Sequence, residues 1–515
     1  MMYRMLGMSL GVLLALAPVA MGQVPGGPSY GGILRIGMTQ EILNLDPHVA
    51  TAFSSFRIME NVYETLLEFD ENMGLKPGLA ASWSISPDGT VYTFTIRQGV
   101  VFHDGSPLTA EDVKYTYQRV LDPATASPQA SYLASVREIE VTSPYQLRIT
   151  LKYPTASFLT YLALISIVPS DFVSKVADPK TTPLGTGPFR LAEFGPDFVR
   201  LVRNPGYWRT DGRGNRLPYL DGLLFRVIPD PATLRAAIVT GEVDLILGFG
   251  VDATAVQLLR PTPGLKILAV SQLAYSLLGI NNARPPFDDA RVRQALSLAI
   301  DRLAIVDLVY FGAAKVGGPL PPSLVDWAPL PPEDLPNYTP DLARAKHLLE
   351  EAGYPDGFRL KIMPIPTVPE ALQVALVIQE QLRPLGIAVE IEIVDFATFL
   401  SRWRNSDFDT FVSLNAGSVD PDIHLYRHVH STGTTNVFKY NDPATDRLLE
   451  AGQLIANPQA RRDVYAALQR RLAEQVPFLF IAYADLYAVV KDTVTGFVLL
   501  PNSSTVFLRQ TSFAR

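Results

Sequence analysis

The chain has 515 residues, 48% of them hydrophobic, no cysteine and a formal net charge of −7. At ~150 residues per domain, that length predicts about two to four domains with real cores. The acidic balance excludes a nucleic-acid-binding face, which needs basic charge to meet phosphates, and the missing thiols exclude disulfides, thiol nucleophiles, thiolate zinc sites and thiolate-held iron–sulfur clusters.

Residues 1–22 read as a secretory signal. Arg4 supplies the positive end, Met5 to Val19 is apolar, and Ala20-Met21-Gly22 offers small residues before Gln23. The apolar run is short against the ~20 residues of a membrane span. The expectation is cleavage after Gly22. With no cysteine to carry a lipid, the mature protein is expected to be free and soluble in the periplasm.

A Pro/Gly-rich leader, Gln23 to Tyr30, precedes a strand in GGILRIGM, Gly31 to Met38. TVYTFTIR, Thr90 to Arg97, alternates apolar and polar residues like a half-buried strand, after the turn signal Pro87-Asp88-Gly89. PLTAEDVKYTYQRV predicts a helix capped by Thr109 with Asp112 three residues on. FLTYLALISIVP, Phe158 to Pro169, is apolar but too short to span a bilayer, and is expected to be buried. PFDDARVRQALSLAIDR predicts a second helix with Asp288 as cap and Asp289 at its positive end. A third is expected to start at Thr339 and Pro340 and to stop at Gly353. From Phe358 the order is strand, helix, strand, a βαβ unit with a right-handed crossover. Mixed α/β domains follow.

LNAGSVDPDIHLYRHVHSTG, Leu414 to Gly433, holds three of the six histidines. His424 and His428 are spaced i, i+4, so on a helix they share a face that can hold zinc, copper or nickel. The hydrolase form needs a glutamate directly after the first histidine, and Leu425 stands there. The favoured reading is a solvated helix face with no metal. The two G-x-S-x-G matches, Gly7 to Gly11 in the expected signal segment and Gly27 to Gly31 ahead of the first strand, lack the strand-to-helix setting of a nucleophile elbow, and no phosphate loop or dinucleotide fingerprint occurs. His103-Asp104-Gly105-Ser106 reads as a turn rather than a triad, which needs spatial geometry. A binding protein is favoured over an enzyme.

Several blocks carry a family resemblance. LAASWSISPDGTVYTFTIRQGVVFHDGSPLTAEDVKYT resembles the signature of the family 5 extracellular solute-binding proteins, the peptide-binding components of ABC importers. GTGPFRL (Gly185 to Leu191), NPGYW (Asn204 to Trp208), NNARPPFDDARVRQALSLAIDR (Asn281 to Arg302), DLARAKHLLEEAGYPDGF (Asp341 to Phe358) and YNDPATDRLLEAG (Tyr440 to Gly452) follow in order. The resemblance implies an α/β fold of the periplasmic binding protein type II kind. Lobe I would comprise 23–66, 182–277 and 486–515, with an extra α/β domain, 67–181, inserted in it. Lobe II would be 278–485, with hinge crossings near Leu278 and Tyr483. Trp83 and Trp208 would be core.

The resemblance further implies a ligand held between the lobes, an inner-membrane ABC permease as partner, a monomer and no cofactor. It places Phe53, Phe249, Tyr275, Asn415, Asp420 and Tyr483 at the cleft. In peptide-binding relatives a carboxylate pairs with the peptide's α-amino group, often a few residues after a Trp. Asn415 stands at the Trp position, Gly417 or Ser418 where the acid is expected, and Asp420 is the nearest carboxylate. Short peptides are therefore the first cargo expected. An oligosaccharide, another neutral solute or a nickel or other metal chelate are the alternatives within the same role, and a secreted hydrolase is the alternative outside it.

Overall fold

The computed structural model describes residues 28–514, except 43, 249, 250, 325, 326, 328, 367 and 456. The expected signal segment, 1–22, lies outside the described residues, as does Phe249.

One mixed sheet of twelve strands runs through both lobes. Its shared member is strand Phe478–Lys491, whose run FLFIAYADLYAVVK is buried along almost its whole length. Such a continuous apolar run is what a strand covered on both faces needs. Its first half pairs with Tyr275–Ile280 and Ala314–Val316. Its second half pairs with Leu265–Ser271 and Leu245–Leu247. Only Ala484 and Asp485, in mid-strand, are partly exposed, and they mark the seam. Between the partner of its second half, Leu265–Ser271, and the partner of its first half, Tyr275–Ile280, the chain runs through Gln272–Ala274. Leu278, where the resemblance sets a crossing, lies inside Tyr275–Ile280, which pairs with Thr410–Asn415 and with the first half of the shared strand. YSLLGI is buried at every position, so its composition carries no mark of where the lobe changes.

On the lobe I side, Ile33–Met38 pairs in parallel with Gly222–Val227, which continues into the antiparallel strands Phe198–Arg203 and Phe189–Phe194. The inserted domain is a four-stranded antiparallel sheet, Ala80–Ile85, Val91–Ile96, Gln146–Leu151 and Val136–Ser143. Its core takes in helices Ala110–Leu121 and Phe158–Leu162, so the FLTYLALISIVP run is buried. Trp83 and Trp208 are half-buried at the margin of that core. On the lobe II side, Arg359–Pro364, helix Pro369–Leu382 and Ala388–Ile391 form the βαβ unit, with parallel strands.

Local signals hold at Gly89, whose φ of +70° suits the turn, and at Thr109, whose N–H donates to Asp112 Oδ2 at 2.8 Å. Two caps move. Helix Ala290–Ala299 is capped by Asp289, not Asp288, because Asp289 is the residue whose carboxylate reaches the Arg291 N–H. Helix Leu342–Glu351 is capped by Asp341, not Thr339. Pro340 keeps the residue before it extended, so the helix begins beyond it.

Candidate functional site

Strand Thr410–Asn415 lies antiparallel to Tyr275–Ile280, which sets Asn415 opposite Tyr275. The Asn415 amide donates to the Tyr275 hydroxyl at 3.2 Å. The Tyr275 ring sits 5.0 Å from the His424 ring and 5.7 Å from that of Tyr483. Tyr483 Oη donates to the Gly318 carbonyl at 2.9 Å and lies 3.4 Å from His424 Nε2. The Ser418 N–H donates to His424 Nδ1 at 3.2 Å. That bond fixes the tautomer: Nδ1 accepts, so Nε2 carries the proton. Burial pushes the His424 imidazole down to about 3, so it is neutral at ordinary pH. The structure therefore brings Tyr275, Asn415 and Tyr483 together at the seam.

The expectation of a solvated histidine face is corrected. His424, His428 and His430 do lie on or at the end of helix Pro421–Val429, but all three are buried. His428 Nε2 accepts from Arg427 Nε at 3.0 Å, and His430 stacks on Tyr426 at 4.3 Å. Their ring nitrogens are engaged with protein partners. Among the described residues, no group of three or more such side chains is arranged to hold a metal.

Asp420 is also employed differently from the expected amine anchor. It caps helix Pro421–Val429, accepting from the Asp422 N–H at 2.9 Å. Both its oxygens accept from Arg461, each at 2.7 Å, with the pair buried. Its charge is already matched inside lobe II, so an incoming ammonium finds nothing uncompensated there. The partner lies far along the chain, so neighbouring sequence gives no sign of it. Beside this pair, Asp422 Oδ2 accepts from Gln453 Nε2 at 3.3 Å and from Ser157 Oγ, of the inserted domain, at 3.5 Å. Asp422 Oδ1 is buried without a partner. Burial, then the neighbouring Asp420 charge, raises the Asp422 carboxyl to about 7. The Ala156 N–H donates to the Gln453 carbonyl at 2.7 Å, so the inserted domain and lobe II are in contact here.

The lobe I side starts at helix Phe53–Met59. The Phe53 side chain lies outside what the structure describes. Arg57 is buried, with Nη1 on the Leu247 carbonyl at 3.3 Å. Gly248, at φ +74°, leaves room for the guanidinium, since a Cβ there would fall 2.2 Å from Arg57 Nη2. Desolvation lowers that guanidinium to about 10. Just past the helix, Glu60 Oε2 accepts from the Thr505 N–H at 2.7 Å. Burial raises the Glu60 carboxyl. A cavity of about 300 Å3 opens beside it, between this helix, the inserted domain and the C-terminal segment 500–509. The hinge reaches this segment, because the Leu273 N–H donates to the Pro501 carbonyl at 3.3 Å. Sequence reasoning missed Arg57, Glu60 and the 500–509 segment. The readable signal was a charged pair at i, i+3 in the otherwise apolar FRIMENVY.

Comparison with known proteins fits this geometry. The model for "Bacterial extracellular solute-binding proteins, family 5 Middle" matches residues 74–436. Heme-binding protein A of Haemophilus influenzae is 29% identical over 477 residues, covering 86% of this chain and 85% of its own. A glutathione-binding protein of Salmonella paratyphi A is 28% identical over 490 residues, covering 92% and 93%. The periplasmic binding protein DppA of Helicobacter pylori, solved with peptide STSA, superposes with a TM-score of 0.76 at 27% identity, covering 95% of this chain and 99% of that one. Each of these relatives is named as a binding protein, and the Helicobacter one as ABC transporter-associated. The chain belongs to the family 5 bacterial extracellular solute-binding proteins.

Proposed function

We propose that the chain is the receptor of an ABC importer for short peptides, exported by removal of residues 1–22 and working as a soluble monomer in the periplasm. Lobe I, with 67–181 inserted, and lobe II close on the cargo about the seam in strand Phe478–Lys491, and the closed form docks on a membrane permease. Tyr275, Asn415 and Tyr483 form the lobe II side of the cleft. The observation that carries the peptide reading is the small, mixed polar and apolar cavity beside the hinge, together with relatives named for glutathione and solved with peptide STSA. Pockets of this size suit a small ligand or one part of a larger one. Haem is the second reading, favoured by the Haemophilus relative. Mass spectrometry of ligand released from denatured protein tests both. Short peptides are expected. A haem spectrum, or a purified protein that binds no peptide from a mixed di- to pentapeptide library, would overturn the reading.

A further inference from the structure

Most of the acidic groups around the cavity beside Glu60 are spoken for. Glu64 accepts from Tyr207 Oη, Trp208 Nε1 and Arg209 Nε at 2.9–3.1 Å. Glu68 is held by Arg209 and Arg509. Arg509, the one cation among the residues that line the cavity, is thus already matched. Glu60 differs. Among the described residues it forms no salt bridge, and its hydrogen bonds come from Thr505 and Ser504. Arg57, one turn back, softens its charge but directs its own Nη1 to the Leu247 carbonyl. On the inserted-domain wall, Gln129 is 8% exposed, and its Oε1 is buried with no partner. The contact from Gln129 Nε2 to the Leu164 carbonyl, 3.4 Å, fixes which end of the amide is which. Gln129 Oε1 thus has no donor, and the Glu60 carboxylate, though hydrogen-bonded, has no salt bridge among the described residues; both line one cavity with Phe56, Met59 and Leu164. Buried acceptors without donors are costly to leave unmade, and native structures keep few of them without a reason.

We propose that this cavity is a subsite for a primary ammonium carried on an apolar stem, as in a lysine side chain, with Glu60 matching the charge and Gln129 accepting a second of its three N–H bonds. An ammonium brings three donors, a positive charge and no acceptor, which fits an unpartnered amide oxygen and a carboxylate without a salt bridge in one cavity. A carboxylate or phosphate is excluded by the Glu60 charge. A neutral hydroxyl supplies one donor and leaves the charge unmatched. Met59 and Phe56 cover the methylene stem, as apolar surface does for lysine elsewhere. The inference rests on the peptide reading for its natural cargo but not for its chemistry.

The test uses the mature protein and calorimetry with n-pentylamine, 1-pentanol and valerate, then with the tripeptides Ala-Lys-Ala and Ala-norleucine-Ala. Pentylamine is expected to bind in preference to both neutral and acidic probes. Glu60→Gln keeps shape and removes charge, and should weaken pentylamine by about 30-fold or more while shifting pentanol little. Gln129→Met serves as a second variant should Glu60→Gln fail to fold, and should weaken the amine about 5- to 10-fold. Equal binding of amine and alcohol, or pentylamine binding untouched by both variants, overturns the subsite. If the tripeptides bind without preference for lysine, the subsite falls and the peptide reading stands. If pentylamine binds through Glu60 and neither tripeptide binds, the subsite stands and the peptide reading falls.

Discussion

On the lobe II side of the hinge, Asp420 meets Arg461, His424 meets Ser418 and Tyr483, and Asn415 meets Tyr275. On the lobe I side, Gln129 Oε1 is buried without a partner, and Glu60 accepts from Thr505 and Ser504 but forms no salt bridge among the described residues. Both sides are rich in buried polar residues, and the residue types alone do not separate them. For the groups named, the difference lies in whether an opposite charge or a donor from the fold meets each one. A satisfied network fixes one geometry, whereas an unsatisfied acceptor stores a cost that a ligand relieves.

The sharpest way to break the contrast is to remove one half of the satisfied pair. Asp420→Ala or Arg461→Ala leaves a buried charge alone and should cost ~3–5 kcal/mol in urea unfolding. Binding per folded molecule should then hold. If Asp420→Asn instead keeps full stability and loses ligand, the carboxylate is an anchor after all and the two sides are alike.

Next in size is the pH effect of Asp422, whose Oδ1 is buried without a partner where inserted domain and lobe II touch. Its carboxyl, at about 7 when buried, sits above its ordinary value of 3.8. The protonated form therefore favours the packed state. The contact is firmest below pH 4, weakens as pH climbs towards 7, and is level above it, by up to ~2–4 kcal/mol. Around it stand Asp420, Arg461, Gln453 and Ser157, with Tyr161, Tyr426 and Tyr465 near enough to feel its charge. Asp422→Asn should remove this slope from thermal melts taken at pH 4 to 8. A slope identical to wild type would assign it to other groups.

His424→Ala strips the partner from the Ser418 N–H and opens a hole beside Tyr275, for ~1–3 kcal/mol by chemical unfolding. No loss would restore the solvated face expected from sequence. The smallest change is Tyr483→Phe, which gives up the bond to the Gly318 carbonyl for about 1 kcal/mol. Ligand affinity should fall with it only if that hydroxyl also serves cargo.

What the sequence made legible was local or repetitive: the Gly89 turn, the Thr109–Asp112 box, the βαβ period, the ordered family blocks. The caps at Asp289 and Asp341 slipped by one or two residues because neighbouring aspartates and threonines compete for the same N–H groups, and only the backbone path decides. The histidines were misjudged since HLYRHV presents polar residues at helical spacing whether water or protein covers them. The pairing of Asp420 with Arg461 was not legible because Arg461 reaches it across the fold, beyond any short-range pattern. Glu60 and Gln129 gain meaning only when a cavity is found between them.

Strand Phe478–Lys491 serves both lobes as a single unbroken β-ribbon, its hydrogen bonds on either side of Ala484 and Asp485 belonging to different bodies. Mechanically it is a torsion bar. In the proposed closure the twist falls at the partly exposed mid-strand residues Ala484 and Asp485, with the ladders on each side kept, so stiffness at that spot would set how far the mouth swings. A proline at 485 would remove the N–H that meets the Ala313 carbonyl and lock one backbone angle there. The lever arms are whole domains, so a few degrees at this point become ångströms at the rim.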